Sequence, residues 1–241
     1  MRTEALTKAL QPWGKFDVIR PLEGGFRNQC WVVETASAQY VAKTTTRSSA
    51  AMKWLASLFN TVASAGLRLP HLVPTREQDF VSNGMTLEPY YEGRPPTPIE
   101  LQSLRTPIGE IHELTRNFPQ RPDFASAKTL RTEPRGGDVD LDRMPPRLVN
   151  RCREAWTALS HSPSAVVHGD LHPSNVLVGP DGQVALLDWD EARVDAEAFD
   201  LWSIKPQESL HPDQRRALLA WEIATCWTVE PEYARDLARS F

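Results

Sequence analysis

Val166-Val-His-Gly-Asp-Leu-His-Pro-Ser-Asn-Val-Leu-Val178, with Val184-Ala-Leu-Leu-Asp-Trp-Asp190 close behind it, decides how this chain of 241 residues is read. Two apolar runs of strand character enclose a loop that holds Gly and Pro. A Gly179-Pro-Asp-Gly182 turn then folds the second run back as a hairpin. Asp170 and Asn175 lie five residues apart in the loop, and Asp188 follows 13 residues beyond Asn175. Antiparallel pairing across the turn returns Asp188 to the neighbourhood of Asn175, so an amide oxygen and a carboxylate converge. Magnesium takes hard oxygen ligands, few of them from protein, and fills the rest with phosphate and water. Asp170 then remains to accept a hydroxyl proton. A competing reading takes His168-x-Asp170-x-His172 as part of a transition-metal hydrolase site. That site needs further His ligands in spacing, and the chain has six His in all.

Outward from this stretch, the N-terminal 90 residues read as strands with one helix. Phe16–Ile19, Cys30–Thr35 and Gln39–Thr44 are short β-rich runs, and two more strands are expected near Leu72–Pro74 and Met85–Leu87. Residues 48–65 read as a helix capped by Ser48 or Ser49, with Met52, Leu55, Leu58, Phe59 and Val62 on one face and Gly66 at its end. Gly93-Arg-Pro-Pro-Thr-Pro is a linker, because so much proline continues neither helix nor central strand. Beyond it the pattern turns helical, at 99–105, at 107–116, around Leu148–Leu159 and at 212–228. Residues 120–146 read as a long loop with one short helical piece. Trp156, Trp202, Trp221 and Trp227 read as core, and the acidic run Asp190, Glu191, Asp195, Glu197 as a solvated face.

Composition bounds the function. Apolar residues make up 41% and charged residues 24%, as in soluble globular domains, and no run approaches the roughly 20 apolar residues of a membrane span. Net charge is −4 without a basic block, which disfavours nucleic acid. Residues 1–88 carry 10 Lys/Arg against 7 Asp/Glu, and the remainder 17 against 24. That split suits an anionic cofactor in the first part and a neutral or cationic substrate in the second, but on charge alone surface solubility is the reading to prefer. Cys30, Cys152 and Cys226 are odd in number and far apart. A disulfide framework is therefore not expected, and a cytoplasmic location is.

The loop, the hairpin and the second Asp, in that order, resemble the catalytic segment of protein kinase-like folds. In detail, His168-Gly-Asp-Leu-His-Pro-Ser-Asn175 and Asp188-Trp-Asp190 are similar to the aminoglycoside phosphotransferase and choline kinase superfamily of small-molecule kinases. The resemblance implies an α+β, bilobal fold. A small antiparallel N-terminal sheet with one helix (1–88) binds nucleotide. A hinge (89–93) follows, then a mainly helical catalytic and substrate-binding lobe (94–241) with a short β-hairpin near the catalytic loop. It implies transfer of the γ-phosphoryl of ATP, with Mg2+, to the hydroxyl of an aminoglycoside-like antibiotic, amino alcohol, sugar or homoserine-type acceptor. Asp170 becomes the catalytic base or hydroxyl-orienting group, Asn175 and Asp188 the metal ligands, and His168 a packing residue. Asp200 either braces the loop or merely caps its helix.

In the first lobe, Gly24, Gly25, Phe26 and Asn28 fall between two strands, where backbone N–H groups can cover phosphates, although a Gly-Gly pair also suits a plain hairpin. Lys43 resembles the strand lysine that pairs with the α- and β-phosphates, and Glu88 and Tyr90 fall in the hinge that meets adenine. The chain departs from the pattern at one point. The helix glutamate that partners the strand lysine is missing, since residues 44–76 contain no Asp or Glu, and the next acids are Glu77 and Asp79. A catalytically weak pseudokinase that binds nucleotide or metabolite is the alternative this raises. A small-molecule partner, no nucleic acid, no membrane and a monomer or homodimer complete the expectations.

Overall fold

The computed structural model describes residues 3–22 and 27–241, in two compact units. The first holds the described residues up to Ala63, Leu67–Arg94 and Leu177–Leu187. Its elements are α1 (Thr3–Ala9), β1 (Asp17–Leu22), β2 (Cys30–Glu34), β3 (Gln39–Thr44), α2 (Ser49–Thr61) and β4 (Met85–Pro89). The strands form one antiparallel sheet in sequence order, β1-β2-β3-β4. Alternation along β2 and β4 sends Trp31, Val33, Met85 and Leu87 into a core shared with Leu6 of α1 and with Leu10 just after it. α1 is a second helix in a part where the sequence led us to expect one. Its apolar face is only Leu6 and Leu10, too short a pattern to show helical periodicity.

α2 forms as its spacing dictates. The Ser48 hydroxyl accepts from the N–H of Ala51 at 3.2 Å, and Met52, Leu55, Leu58, Phe59 and Val62 are buried. No strand forms at Leu72–Pro74, which corrects that expectation. Pro70 and Pro74 flank the segment and cannot donate to a ladder, so a single bond, Val73 N–H to Leu87 O at 2.8 Å, joins it to the sheet.

The second unit holds Pro95–Val176 and Asp188–Phe241, with the short run Ser64–Gly66. It begins with α3 (Pro98–Ser103), α4 (Arg105–Thr115), α5 (Ala127–Leu130), β5 (Arg135–Gly136), β6 (Val139–Asp140), α6 (Pro146–Ala155) and β7 (Ser164–Val167). The chain then makes the hairpin β8 (Val176–Val178) and β9 (Val184–Leu186), most of which counts with the first unit, and returns as β10 (Arg193–Ala196), α7 (Ala198–Ser203), α8 (Pro212–Cys226) and α9 (Pro231–Ser240). β7 and β10 pair antiparallel, Val167 opposite Arg193. The core of this unit centres on Trp156, Phe199 and Trp221, with ring centroids 5.2–6.1 Å apart, and Trp202 is buried beside them. Among the described residues no helix is long and apolar enough to cross a membrane, and none of the three cysteines forms a disulfide.

The hairpin is fixed at both edges inside the first unit. Gly182, at φ +77°, closes the turn, and Gly179 N–H bonds Gln183 O at 2.9 Å. Arg68 bonds Val184 and Leu186 through its backbone, and its guanidinium reaches Asp181 at 2.6 Å. Arg94 exchanges two backbone bonds with Val178.

Candidate active site

β7 ends in the buried imidazole of His168, and the loop that follows is built on the carboxylate of Asp200 in α7. Asp200 is 1% exposed. Its Oδ2 accepts from the backbone N–H of His168 at 2.8 Å, and its Oδ1 from that of Gly169 at 3.1 Å. His112 Nε2 of α4 meets Oδ2 at 3.1 Å. Burial pushes this carboxyl up, but the bond to His112, the nearby imidazoles and the Gly169 N–H outweigh it and hold Asp200 below the ordinary carboxylate range. Asp200 therefore braces the loop and is no mere helix cap.

Gly169 turns the chain with φ +86°, and a Cβ there would come within 2.6 Å of Arg193 Nη1 and 2.8 Å of Glu191 O. The turn brings Asp170 out to solvent. The N–H of Asp170 donates to His168 Nδ1 at 3.2 Å, which sets the proton of a neutral His168 on Nε2, and the His168 ring packs edge-on against Trp189. Asn175 Nδ2 donates to both the carbonyl and Oδ2 of Asp170, each at 2.9 Å. One carboxylate oxygen of Asp170 is thereby oriented, and the Asn175 side chain presents its oxygen to any further partner. His172 caps the 173–175 turn through Ser174. Both histidines thus serve the loop's own backbone, and among the described residues no group of three His, Cys, Asp or Glu could hold a metal. The described residues thus offer the hydrolase reading no metal cluster.

Asp188 begins the turn Trp189–Glu191 in the left-handed conformation, φ 55° and ψ 65°, which Asp tolerates better than most residues. The Gly179–Gln183 pair sets a hairpin register in which Val176 opposes Leu186. Asn175 and Asp188 therefore leave its open end within a residue of each other. An amide oxygen and an exposed carboxylate form a donor set with one charge and only oxygen, which fits Mg2+ sharing its shell with phosphate and fits zinc poorly.

Two residues that the sequence did not flag hold this turn. Arg121, 1% exposed, donates through Nη1 to the carbonyls of Trp189, Asp190 and Ala192 at 2.9–3.2 Å. Gln120 pairs its side-chain amide with both backbone groups of Val194, as a strand would. Both lie in residues 120–146, which the sequence reads as a long loop with one short helical piece. The acidic run also differs from expectation: Asp195 is 2% exposed and bonds Arg193 Nε at 2.8 Å, so it is core and not a solvated face. Burial pushes the Asp195 carboxyl up, against the pull of Arg193 and of the Ala196 and Ala127 N–H groups.

In the first unit, Lys43 lies on β3 between Cys30 and Thr86 and is 8% exposed. Asp79, an acid that could have replaced the missing helix glutamate, takes the Ser49 hydroxyl at 2.7 Å and the Lys53 ammonium at 3.5 Å. It thus tethers its loop to the start of α2. Glu88, on β4, pairs with Val41 of β3, and Tyr90 gives its N–H to Gln39 O and takes Arg20 on its hydroxyl. Asn28 directly precedes the segment leading into β2, whereas Gly24, Gly25 and Phe26 lie outside the described residues.

A sequence model of the phosphotransferase enzyme family, APH, matches residues 18–236, the catalytic loop and both units included. The chain belongs to this family. As a member it is an ATP-dependent small-molecule phosphotransferase, that is, a small-molecule kinase. A homoserine kinase of Methylobacterium nodulans is 25% identical over 219 residues, covering 81% of this chain and 68% of that protein. Among solved structures, a microcompartment-associated aminopropanol kinase superposes with a TM-score of 0.65 at 14% identity, over 99% of this chain and 94% of that one. A thermostable mutant of aminoglycoside phosphotransferase APH(4)-Ia, in complex with ADP and hygromycin B, superposes with a TM-score of 0.61 at 14% identity, over 98% and 97%. These likenesses show the protein kinase-like fold expected from the loop, and the nucleotide complexes among them agree with a nucleotide substrate.

Proposed function

We propose that this phosphotransferase moves the γ-phosphoryl of ATP, with Mg2+, to the hydroxyl of a small amino-bearing acceptor of the homoserine type. The observation that carries the proposal is the Asp200-braced loop, in which Asn175 orients the exposed carboxylate of Asp170. Asp170 would take the acceptor's hydroxyl proton and aim its oxygen at the phosphorus. Asn175 and Asp188 would hold the magnesium, which when bound neutralises phosphate charge. Lys43, with the backbone around Gly24, Gly25, Phe26 and Asn28, would bind the phosphates, and the chain at Glu88 and Tyr90 the base. The 1–88, 89–93 and 94–241 division is the functional partition we assign. The acceptor class is supported by the homoserine kinase relative and by the acidic balance of residues 89–241. Three cysteines, none of them in a disulfide, fit the cytoplasmic location we assign, and we assign a monomer or homodimer.

The test is ADP release with ATP and Mg2+ over a panel of L-homoserine, amino alcohols, sugars and aminoglycosides, with 31P detection of the phosphoester. L-homoserine is expected to give the highest kcat/KM. A preference for an aminoglycoside or a sugar would overturn the acceptor class, and ATP binding with no turnover of any compound would favour the pseudokinase.

A further inference from the structure

Beneath the catalytic loop lies a small cavity whose lining includes Phe124, Asp138, Glu191, Arg193, Trp221 and Thr225. Two polar atoms of that lining, Arg193 Nη2 and Thr225 Oγ1, are buried without a hydrogen-bond partner among the described residues. Their residues are 1% and 3% exposed. A buried donor left unpaired carries a desolvation cost, so two in one cavity indicate a missing acceptor. The rest of the guanidinium is fixed. Nε bonds Asp195, Nη1 bonds Glu191 O at 3.1 Å, and the plane stacks 3.5 Å over Trp221. Asp195 is meanwhile satisfied by the N–H groups of Ala127 and Ala196, so the guanidinium keeps one arm for a further anion.

Resting on the proposed acceptor class, we propose that this cavity is the carboxylate end of the acceptor site, and that the acceptor is a hydroxylated α-amino acid. The cavity measures about 10 Å³, room for one oxygen-sized group and not for a whole substrate. It shares Gly136 to Val139 with an open groove of about 470 Å³, in which the remainder of a ligand can lie. One carboxylate oxygen enters between Arg193 Nη2 and the Thr225 hydroxyl. The ammonium falls to the acid side of the same lining, Glu191 and Asp138. The hydroxyl end points back to the loop, because Gly169, next to Asp170, sits directly against Arg193. A guanidinium and two carboxylates in one small site match the two charges of a zwitterion, whereas a neutral sugar offers them hydrogen bonds but no charge.

Steady-state kinetics on L-homoserine and on its decarboxylated analogue 3-aminopropan-1-ol, in the wild type, Thr225→Val and Arg193→Lys, test this. The wild type is expected to prefer L-homoserine at least about tenfold. Thr225→Val should lower the ratio of the two kcat/KM values by about tenfold, a ratio that a purely structural fault would not move. Arg193→Lys should lower it further if that variant folds. Equal wild-type values for the two compounds, or equal losses in Thr225→Val, would mean that the cavity holds only a water, and would overturn the proposal. Calorimetric binding of L-homoserine in the presence of a non-hydrolysable ATP analogue separates this site from the reaction. Binding that Thr225→Val weakens, without turnover, supports the site and fails the kinase reading. Turnover of both compounds alike keeps the kinase and fails the site, and absence of both binding and turnover overturns both.

Discussion

At the scale of single residues, the loop has no slack at Gly169. Its φ of +86° excludes most side chains, and the space a Cβ needs is held by Arg193 Nη1 and the Glu191 carbonyl. Strain and overlap together put the cost of Gly169→Ala at roughly 2–4 kcal/mol. Chemical denaturation is the check, and kcat should fall with stability because the loop must shift away from Arg193. A change under about 0.5 kcal/mol would show that the loop is not packed as described. The amino-acid sequence makes this glycine legible as part of a motif, since His168-Gly-Asp announces a catalytic loop. It does not show why the residue must be glycine, because the neighbour that forbids a Cβ comes 24 residues later in the chain, on β10.

At the scale of elements, β7, α4 and α7 converge on one buried carboxylate. Asp200 binds two backbone N–H groups of the loop and His112, and its pKa is held below the ordinary carboxylate value of about 3.9. A depressed native pKa means that the unfolded chain binds the proton first on acidification. The contribution of Asp200 to stability is thus complete above the unfolded pKa, and is lost as pH falls through the lower folded value. Asp200→Asn should cost roughly 3 kcal/mol near neutrality, since an amide offers one acceptor where two donors point. The difference between wild type and variant should stay level above about pH 5 and shrink below about pH 4. A gap that persists unchanged into strong acid would contradict the ionised brace. The elements themselves are readable in the sequence where a period of several residues repeats, as in α2 and the hairpin. They are not where tertiary contact overrides local signal. α1 rests on two leucines, Leu72–Pro74 sits between prolines, and Arg121 and Gln120 work from a loop that composition marks as featureless.

At the scale of the whole molecule, the proposed function makes nucleotide with magnesium a stabiliser of the native state, because the folded hairpin is what would bring Asn175 and Asp188 together. Thermal unfolding should move upward with ATP, and further with Mg2+, by about 2.7 kcal/mol at a hundredfold excess over Kd. Asp188→Ala should remove the magnesium-dependent part and spare the rest. A shift that ignores magnesium would contradict the metal assignment. The missing helix acid, which makes a binding module a real alternative in the sequence, has no counterpart at Asp79, since that carboxylate is committed to Ser49 and Lys53. On the proposed function, phosphate positioning would then fall to Lys43 and to the magnesium held by Asn175 and Asp188.

The most direct test of the account is the turnover of Asp170→Asn with ATP, Mg2+ and L-homoserine, set against its affinity for nucleotide. Phosphoester formation is expected to be at least about a hundredfold slower than in the wild type, with nucleotide binding retained because the role proposed for Asp170 is toward the acceptor hydroxyl and not toward the nucleotide. Wild-type turnover in this variant would contradict the assignment of Asp170, and with it the chemistry derived from the loop.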